Sequence, residues 1–282
     1  MNAPTRPFLV IGAQKAGTTS LYNYLAAHPD IYGSPVKEPK YFLNERPTPD
    51  ERRRYHELFE GRTSQRRTFE ATPHYTQYPG YVGVPRRIAA ELPDAQLIYI
   101  IRHPIERTYS HYMFRLTSAE AREFRGFEEA LDLHPFYTYI SRYHSQLEQY
   151  LEVFPRERIH VVLFEDLKTR PAETLRGMFE FLDVDPDVEP PNIRTVYKET
   201  AQRTFPSPML RWTKRTGLYD RVHWRLRDWL RSSGRSAPPA KAEILTPGIY
   251  NRLHALLRDD VERLRDFLRR DLPWDFPHSK FR

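Results

Sequence analysis

A loop with two glycines and one lysine is the first feature of the sequence that could do chemistry. It reads GAQKAGTT from Gly12 to Thr19, between the apolar run FLVI and a stretch with helical periodicity. The spacing keeps both glycines and the hydroxyl of a G-x-x-x-x-G-K-[ST] phosphate loop, but the lysine, Lys15, stands inside the loop. Backbone N–H groups of such a loop, with the positive end of the following helix, bind a phosphate. The loop therefore predicts an anion site.

A second cation follows the next clear strand. A magnesium-dependent P-loop enzyme needs a second strand that ends in an acidic metal ligand, whereas residues 96–101 are followed by Arg102. Open α/β sheets bind ligands beyond the carboxyl ends of their strands, and a guanidinium group binds phosphate through two parallel hydrogen bonds. Side-chain cations thus replace the metal, and we expect no metal site.

Strand patterns alternate with helical patterns along much of the chain. Three short apolar runs are typical of parallel strands buried on both faces: residues 8–11, 96–101 and 158–164. A helical pattern follows each of them, over residues 18–27, 106–116 and 172–182. This alternation predicts an α/β fold with a P-loop-like central parallel sheet flanked by helices on both faces.

The remaining segments are less regular. Residues 43–69 contain one short polar helix at most, and residues 124–154 read as two helices broken near Pro135. An amphipathic helix over residues 249–272 ends the pattern, and core packing is the favoured use of its apolar stripe. We expect residues 1–282 to form a single domain.

Composition narrows the class of protein. The net charge is +7, from 44 Lys and Arg against 37 Asp and Glu, and it favours an anionic partner. The absence of cysteine excludes disulfides, thiolate catalysis and cysteine-based zinc sites. Residues 1–7 lack a signal-peptide pattern, and no apolar run approaches the length of a membrane span. These features predict a soluble, cytoplasmic protein without a transmembrane segment.

The stretch from residue 206 to residue 240 is basic and aromatic. It contains Trp212, Trp224 and Trp229 among many arginines. Its position after the predicted sheet favours a lid or acceptor wall. A homodimer surface, and contact with anionic lipid or polysaccharide, are the alternatives.

Six short motifs occur in a fixed order and carry a family resemblance. They are GAQKAGTTSL, KEPKYF, FEATPHY, IIRHPIERTYSHY, VVLFEDL and a late DLPW. Together they resemble the sulfotransferases that use 3′-phosphoadenosine 5′-phosphosulfate (PAPS), most closely the glycan sulfotransferases of the heparan sulfate type. The resemblance covers about residues 8–182 and resumes near residue 271.

The resemblance implies a binding site for PAPS and for its product, adenosine 3′,5′-bisphosphate (PAP). Lys15 matches the lysine that contacts the bridging oxygen and neutralises charge on the leaving phosphate, and Arg102 with Ser110 matches the 3′-phosphate site. Lys198 and Arg203 are candidates for a further cation that relatives place over the nucleotide. The residues of the matching 5′-phosphosulfate loop are Gln14, Lys15, Ala16, Gly17, Thr18, Thr19 and Ser20.

The acceptor must lose a proton, so the site needs a base. Glu38 is our choice, because glycan-type members that this chain resembles carry a glutamate there, and His74 is the rival. Lys37 and Lys40 flank Glu38, where they favour its ionised form and could bind an anionic acceptor. Glu70 is either a base or the structural partner of a cationic group, and we place it on the acceptor side.

One position of the motifs departs from the heparan branch, and one basic residue of the motifs has no assigned role. Relatives there often carry a basic residue just before the Thr-Pro of the third motif, where this chain has Ala71. Arg107 is a third basic group of the IIRHPIERTYSHY motif, and we expect it to face solvent.

These observations predict an enzyme that moves the sulfuryl group of PAPS to a hydroxyl, or as second choice an amine, of a carbohydrate or other small acceptor. The transfer would be an in-line displacement without a metal ion, and nucleic acid would not be a partner. Two other functions compete: a P-loop kinase, recognised by Mg²⁺-dependent ATP turnover, and a non-enzymatic module that binds polyanions or nucleic acid.

Overall fold

The computed structural model describes residues 6–117, 123, 125–193, 195, 209, 212, 213, 216, 218 and 244–274. Within them, five parallel strands form a sheet in the order β2-β3-β1-β4-β5. The strands are β1 (Arg6–Gly12), β2 (Ile31–Gly33), β3 (Arg67–Ala71), β4 (Gln96–Ile101) and β5 (Ile159–Leu163). Because β1 is the central strand, the glycine loop opens in the middle of the carboxyl edge of the sheet.

Helices connect the strands. The described ranges contain α1 (Thr18–Ala26), α2 (Pro49–Glu57), α3 (Val84–Glu91), α4 (Pro104–Thr117), α5 (Phe127–Leu133), α6 (Phe136–Tyr139), α7 (Tyr143–Leu151), α8 (Phe164–Thr169), α9 (Pro171–Phe181) and α10 (Pro247–Leu268). Short 3₁₀ turns lie at Tyr41–Leu43, Pro73–Thr76 and Arg156–Arg158. No helix in these ranges is long and apolar enough to cross a membrane.

The helices cover both faces of the sheet, as the sequence predicts. Side chains alternate along a strand, so Val10 of β1 points to one face and Leu9 to the other. On the Val10 face, α1 and α9 close a buried apolar cluster. On the Leu9 face, α2, α3, α7 and α10 close a second one. The site therefore stands on a sheet that is buried on both sides.

Two strands were not predicted. β3 begins inside the segment for which only a helix was expected, and its charged residues Arg67 and Glu70 are both buried. These charges interrupt the apolar run by which a buried strand is recognised. β2 has only three residues, too few for a periodic pattern.

Residues 124–154 also differ from the prediction. The break near Pro135 is present between α5 and α6, but a second break precedes α7, so the described part of this segment contains three helices. Arg142 leaves the helical region with φ −85° and ψ 79°. At the end of the fold, α10 stops at Leu268 because Arg269 is left-handed, so Leu272 lies beyond the helix.

Candidate active site

The glycine loop is packed closely against neighbouring elements. Gly17 has φ +97°, and a Cβ atom built on it would lie 2.6 Å from the ring of Phe164. A Cβ atom on Gly12 would lie 1.9 Å from Oγ1 of Thr76. Both positions therefore require glycine, which fixes the loop between α8 and the 3₁₀ turn at Pro73–Thr76.

The amino end of α1 is suited to an anion. Gly17 is its N-cap, no side chain caps the helix, and no acidic residue stands in its first turn. Thr18 and Ala16 are buried, whereas Thr19 and Ser20 are partly exposed. The positive end of the helix therefore meets no carboxylate of its own first turn.

Cationic side chains reach this end from several elements. The Lys15 ammonium lies 4.5 Å from the ring centre of Phe114 on α4, and Lys15 itself has φ 72°. Nη1 of Arg102 donates to the carbonyl of Lys15 at 3.4 Å, and its guanidinium lies 5.2 Å from the ring centre of Phe164. Arg102 thus lies against the loop, as its place after β4 predicts, and Ser110 is largely buried on the following helix α4.

Polar contacts join the loop to the predicted base. Nζ of Lys37 donates to Oγ1 of Thr19 at 2.7 Å and lies 3.5 Å from Oε1 of Glu38. Oε2 of Glu38 lies 3.8 Å from Nδ1 of His74, whose Nε2 lies 3.4 Å from Nε2 of Gln14. Since Gln14 and Thr19 belong to the same loop, these contacts close a ring. We call Gln14, Thr19, Lys37, Glu38 and His74 the polar ring.

The ring places the two rival bases side by side. Glu38 and His74 are 30% and 19% exposed, so both face a partly solvated site. The 3.8 Å between Oε2 of Glu38 and Nδ1 of His74 is longer than a hydrogen bond, so the two groups are neighbours in the site. The sequence treated them as alternatives, and the structure brings both to the same site.

Lys40 and Glu70 lie outside the polar ring. Lys40 is exposed with φ 60°, and its backbone N–H donates to Oγ1 of Thr72 at 3.3 Å. Glu70 is 1% exposed, and its two oxygens accept from Oη of Tyr75 and Oγ1 of Thr72. Burial raises the pKa of Glu70 to about 7, and nearby Glu38 adds to the rise. Glu70 therefore has hydroxyl partners and no surface open to an acceptor in this conformation.

Arg107 does not face solvent, contrary to expectation. It is fully buried on α4, where its Nε donates to Oγ of Ser141 at 2.6 Å and its Nη2 to the carbonyl of Tyr137. A third donation, at 3.5 Å, goes to the carbonyl of Gln14. Burial lowers the pKa of Arg107 to about 10. Arg107 thus ties the glycine loop to α4 and α6.

Comparison with known proteins decides the family. Residues 7–189, more than half of the chain, match the Sulfotransferase family. The chain belongs to this family. Membership favours a transferase over a P-loop kinase or a polyanion-binding module.

Three relatives of this sulfotransferase chain are informative. The crystal structure of a sulfotransferase from Alicyclobacillus acidocaldarius is 28% identical, with a TM-score of 0.65 over 96% of this chain and 98% of that one. Mouse heparan sulfate glucosamine 3-O-sulfotransferase 3A1 is 31% identical over 185 residues, 62% of this chain and 44% of that protein. Mouse sulfotransferase SULT7A1, solved with PAP, is 16% identical over 95% of this chain and 90% of that one, with a TM-score of 0.53, and shares the fold.

The chain spans about half the length of the curated relatives that it matches, or less. Of the predicted site residues of this sulfotransferase, Lys198 and Arg203 lie outside the described residues, as does nearly all of the stretch 206–240. Within the described part of the chain, no group of His, Asp or Glu is arranged to hold a metal ion.

Sequence reasoning missed several residues of this sulfotransferase site. Gln77 donates to Oε1 of Gln14 at 3.2 Å, and Phe164 packs on both Gly17 and Arg102. Thr72 and Tyr75 support Glu70. All of them lie in or next to the quoted motifs, so position in a motif was the available signal. The contacts of Gln77 and Phe164 join segments more than 60 residues apart and could not be read from spacing.

Proposed function

We propose that this chain transfers the sulfuryl group of PAPS to a hydroxyl of a carbohydrate or other small acceptor, with an amine as the second choice. The transfer is an in-line displacement that needs no metal ion. The observation that carries the proposal is the polar ring. It joins a helix end with no side-chain cap and no acidic residue in its first turn to a neighbouring glutamate and histidine. The match to the Sulfotransferase family supports it.

The residues present fit PAPS. An anionic phosphosulfate group suits the amino end of α1. The glycine loop offers backbone N–H groups and cations there, and the first turn of the helix has no acidic residue. Arg102, with Ser110, would hold the 3′-phosphate, since a guanidinium binds phosphate through two parallel bonds. PAPS supplies the sulfuryl group and a phosphate leaving group when bound.

Lys15 and Lys37 neutralise negative charge near the loop. Sulfuryl transfer, like phosphoryl transfer, depends on positioning and on cationic stabilisation of the leaving group. Lys37 already bonds the hydroxyl of Thr19 at 2.7 Å, so its ammonium is held at the helix end. Lys15 stands at the centre of the loop, in a left-handed conformation that the packing of the loop maintains.

Glu38 removes the proton of the acceptor hydroxyl. Its carboxylate is partly exposed and lies between an ammonium at 3.5 Å and an imidazole at 3.8 Å. A carboxylate within hydrogen-bond reach of the acceptor hydroxyl can accept its proton. His74 lies beside the other carboxylate oxygen, Oε2. The exposed Lys40 is placed to meet an anionic acceptor such as a sulfated or carboxylated glycan.

The test is a transfer assay with ³⁵S-labelled PAPS in EDTA, with a panel of mono- and oligosaccharides as acceptors. Wild type should transfer label to at least one sugar, and Glu38→Gln should lose about 10²-fold or more in turnover while its affinity for PAP is kept. Thr169→Ala, an exposed change at the end of α8, is the control. Transfer that requires Mg²⁺, or Glu38→Gln with wild-type turnover, would contradict the proposal.

A further inference from the structure

Glu70 is a buried carboxyl group to which this mechanism gives no part. Its Oε1 accepts from Oη of Tyr75 at 2.6 Å, and its Oε2 accepts from Oγ1 of Thr72 at 2.7 Å. An ionised carboxylate accepts hydrogen bonds and cannot donate them. Both hydroxyl protons therefore point at Glu70, and each hydroxyl oxygen turns its lone pairs elsewhere.

Those lone pairs meet the backbone of the segment that carries Glu38. The N–H of Lys40 donates to Oγ1 of Thr72 at 3.3 Å, and the N–H of Phe42 donates to Oη of Tyr75 at 3.3 Å. Two arms thus run from one carboxylate, through two hydroxyls, to two nearby backbone groups. Glu38 and Lys40 both have φ 60°, a conformation that non-glycine residues hold only when their surroundings fix it.

We propose that Glu70 is a positioning residue for the catalytic base. Its ionised carboxylate orients Thr72 and Tyr75, and these two hydroxyls hold the segment 38–42 so that Glu38 faces the polar ring. This inference rests on the proposed function, because it takes Glu38 as the base. Glu70 touches neither the donor nor the acceptor and acts through the backbone.

The burial of Glu70 supports a functional role over a structural one. The titratable groups that face it are Tyr55 of α2, Tyr75, Tyr150 of α7 and the carboxylate of Glu38, none of which is a cation. Burial raises its pKa to about 7, so the ionised form is costly to the fold. A glutamine side chain has the same shape and would avoid this cost. Only its carbonyl oxygen accepts hydrogen bonds, so it cannot accept from one hydroxyl at each of its two terminal atoms.

The test is Glu70→Gln, studied at pH 7.5 to 8, where the wild-type carboxyl is increasingly ionised. The amide NH₂ donates, so one hydroxyl loses its acceptor and turns from its backbone partner. Turnover of PAPS should fall about 10- to 100-fold, since small misplacement of a catalytic group costs about that much, while the Kd for PAP stays within about twofold. Exchange of the backbone amide hydrogens of Lys40 and Phe42, followed by NMR, should become faster.

Variants that remove one of the two hydroxyls at a time keep the test valid even where Glu70→Gln does not fold. Thr72→Val should speed exchange at Lys40 alone, and Tyr75→Phe at Phe42 alone. Thr72→Ser keeps the hydroxyl and should restore slow exchange and most of the turnover. Glu123→Gln is the matched control for exchange, because Glu123 is also a buried carboxylate that accepts from a tyrosine hydroxyl, that of Tyr137.

The outcomes separate this inference from the proposed function. Wild-type exchange at both amides in folded Glu70→Gln overturns the inference, and so does faster exchange with unchanged turnover. A wild type that binds neither PAP nor PAPS overturns the proposed function instead. The exchange rates then still decide whether Glu70 positions the segment.

Discussion

Three residues of the candidate active site have left-handed backbone. They are Lys15, Glu38 and Lys40, with φ of 72°, 60° and 60°. Such a conformation costs a non-glycine residue on the order of 1 kcal/mol, so the surrounding contacts must impose it. For Lys40 the contact is the hydrogen bond from its N–H to Thr72. Strain at these positions is consistent with selection for function over stability.

The titration of Glu70 gives a prediction for stability. Its pKa rises from 4.5 to about 7 on folding, so between these values the folded chain binds more protons than the unfolded chain. The contribution of Glu70 to the free energy of unfolding should therefore be largest below pH 4.5 and be lost as the pH rises through about 7. At about 1.4 kcal/mol per pKa unit, the fall is about 3 kcal/mol.

Glu70→Gln cannot titrate and should lack this fall. We expect the free energy of unfolding of wild type to drop by about 2.5 kcal/mol relative to the variant between pH 5 and pH 8, measured by urea denaturation. Equal pH dependence in the two proteins would mean that Glu70 does not titrate in this range.

At the scale of elements, the turn from β1 into α1 depends on Gly17. Gly17→Ala combines a positive φ with a contact to Phe164, so it should lower the free energy of unfolding by about 1–3 kcal/mol and weaken PAP binding. Gly177→Ala is the matched control, because Gly177 lies inside α9 with open space around its Cβ position. It should raise stability by up to about 1 kcal/mol. Urea denaturation that ranks the two variants alike would contradict the packing of the loop.

The start of α7 depends on a residue from the distant helix α10. Asp260 is buried and accepts from the backbone N–H groups of His144 and Ser145 at 3.0 and 2.9 Å, as an N-cap does. Asp260→Ala should therefore cost about 2 kcal/mol of unfolding free energy. The exposed neighbour Asp259 offers a control, and Asp259→Ala should change stability by less than about 0.5 kcal/mol. A similar loss in both variants would rule out the capping role.

The sequence predicted the elements that have strong local patterns. β1, β4 and β5 are continuous apolar runs, and each was expected within a residue or two of its observed bounds. β3 was missed because Glu70 and Arg67 interrupt its apolar pattern. The partner of buried Arg67, Gln96 on β4, is 29 residues away and invisible in a local window. The second break before α7 was missed for the same reason, since Asp260 supports that helix start from over a hundred residues away.

At the scale of the whole molecule, motif order predicted the family, and several residues assigned from the motifs lie around the glycine loop. The excess of basic residues indicated an anionic partner, and Lys15, Arg102 and Glu38 were assigned from motifs. Their mutual distances could not be assigned, because the proximity of Glu38 to His74 depends on the strand order β2-β3-β1. Arg107 was wrongly placed in solvent because its partners on α6 are about 30 residues away.

The central claim is that the glycine loop and Arg102 form a site for a 3′-phosphorylated adenine nucleotide. Titration calorimetry of PAP into the protein in EDTA tests it, beside adenosine 5′-monophosphate and beside ATP with Mg²⁺. Micromolar binding of PAP that is lost without the 3′-phosphate is the predicted result. Absence of PAP binding, or preference for ATP with Mg²⁺, would contradict the account.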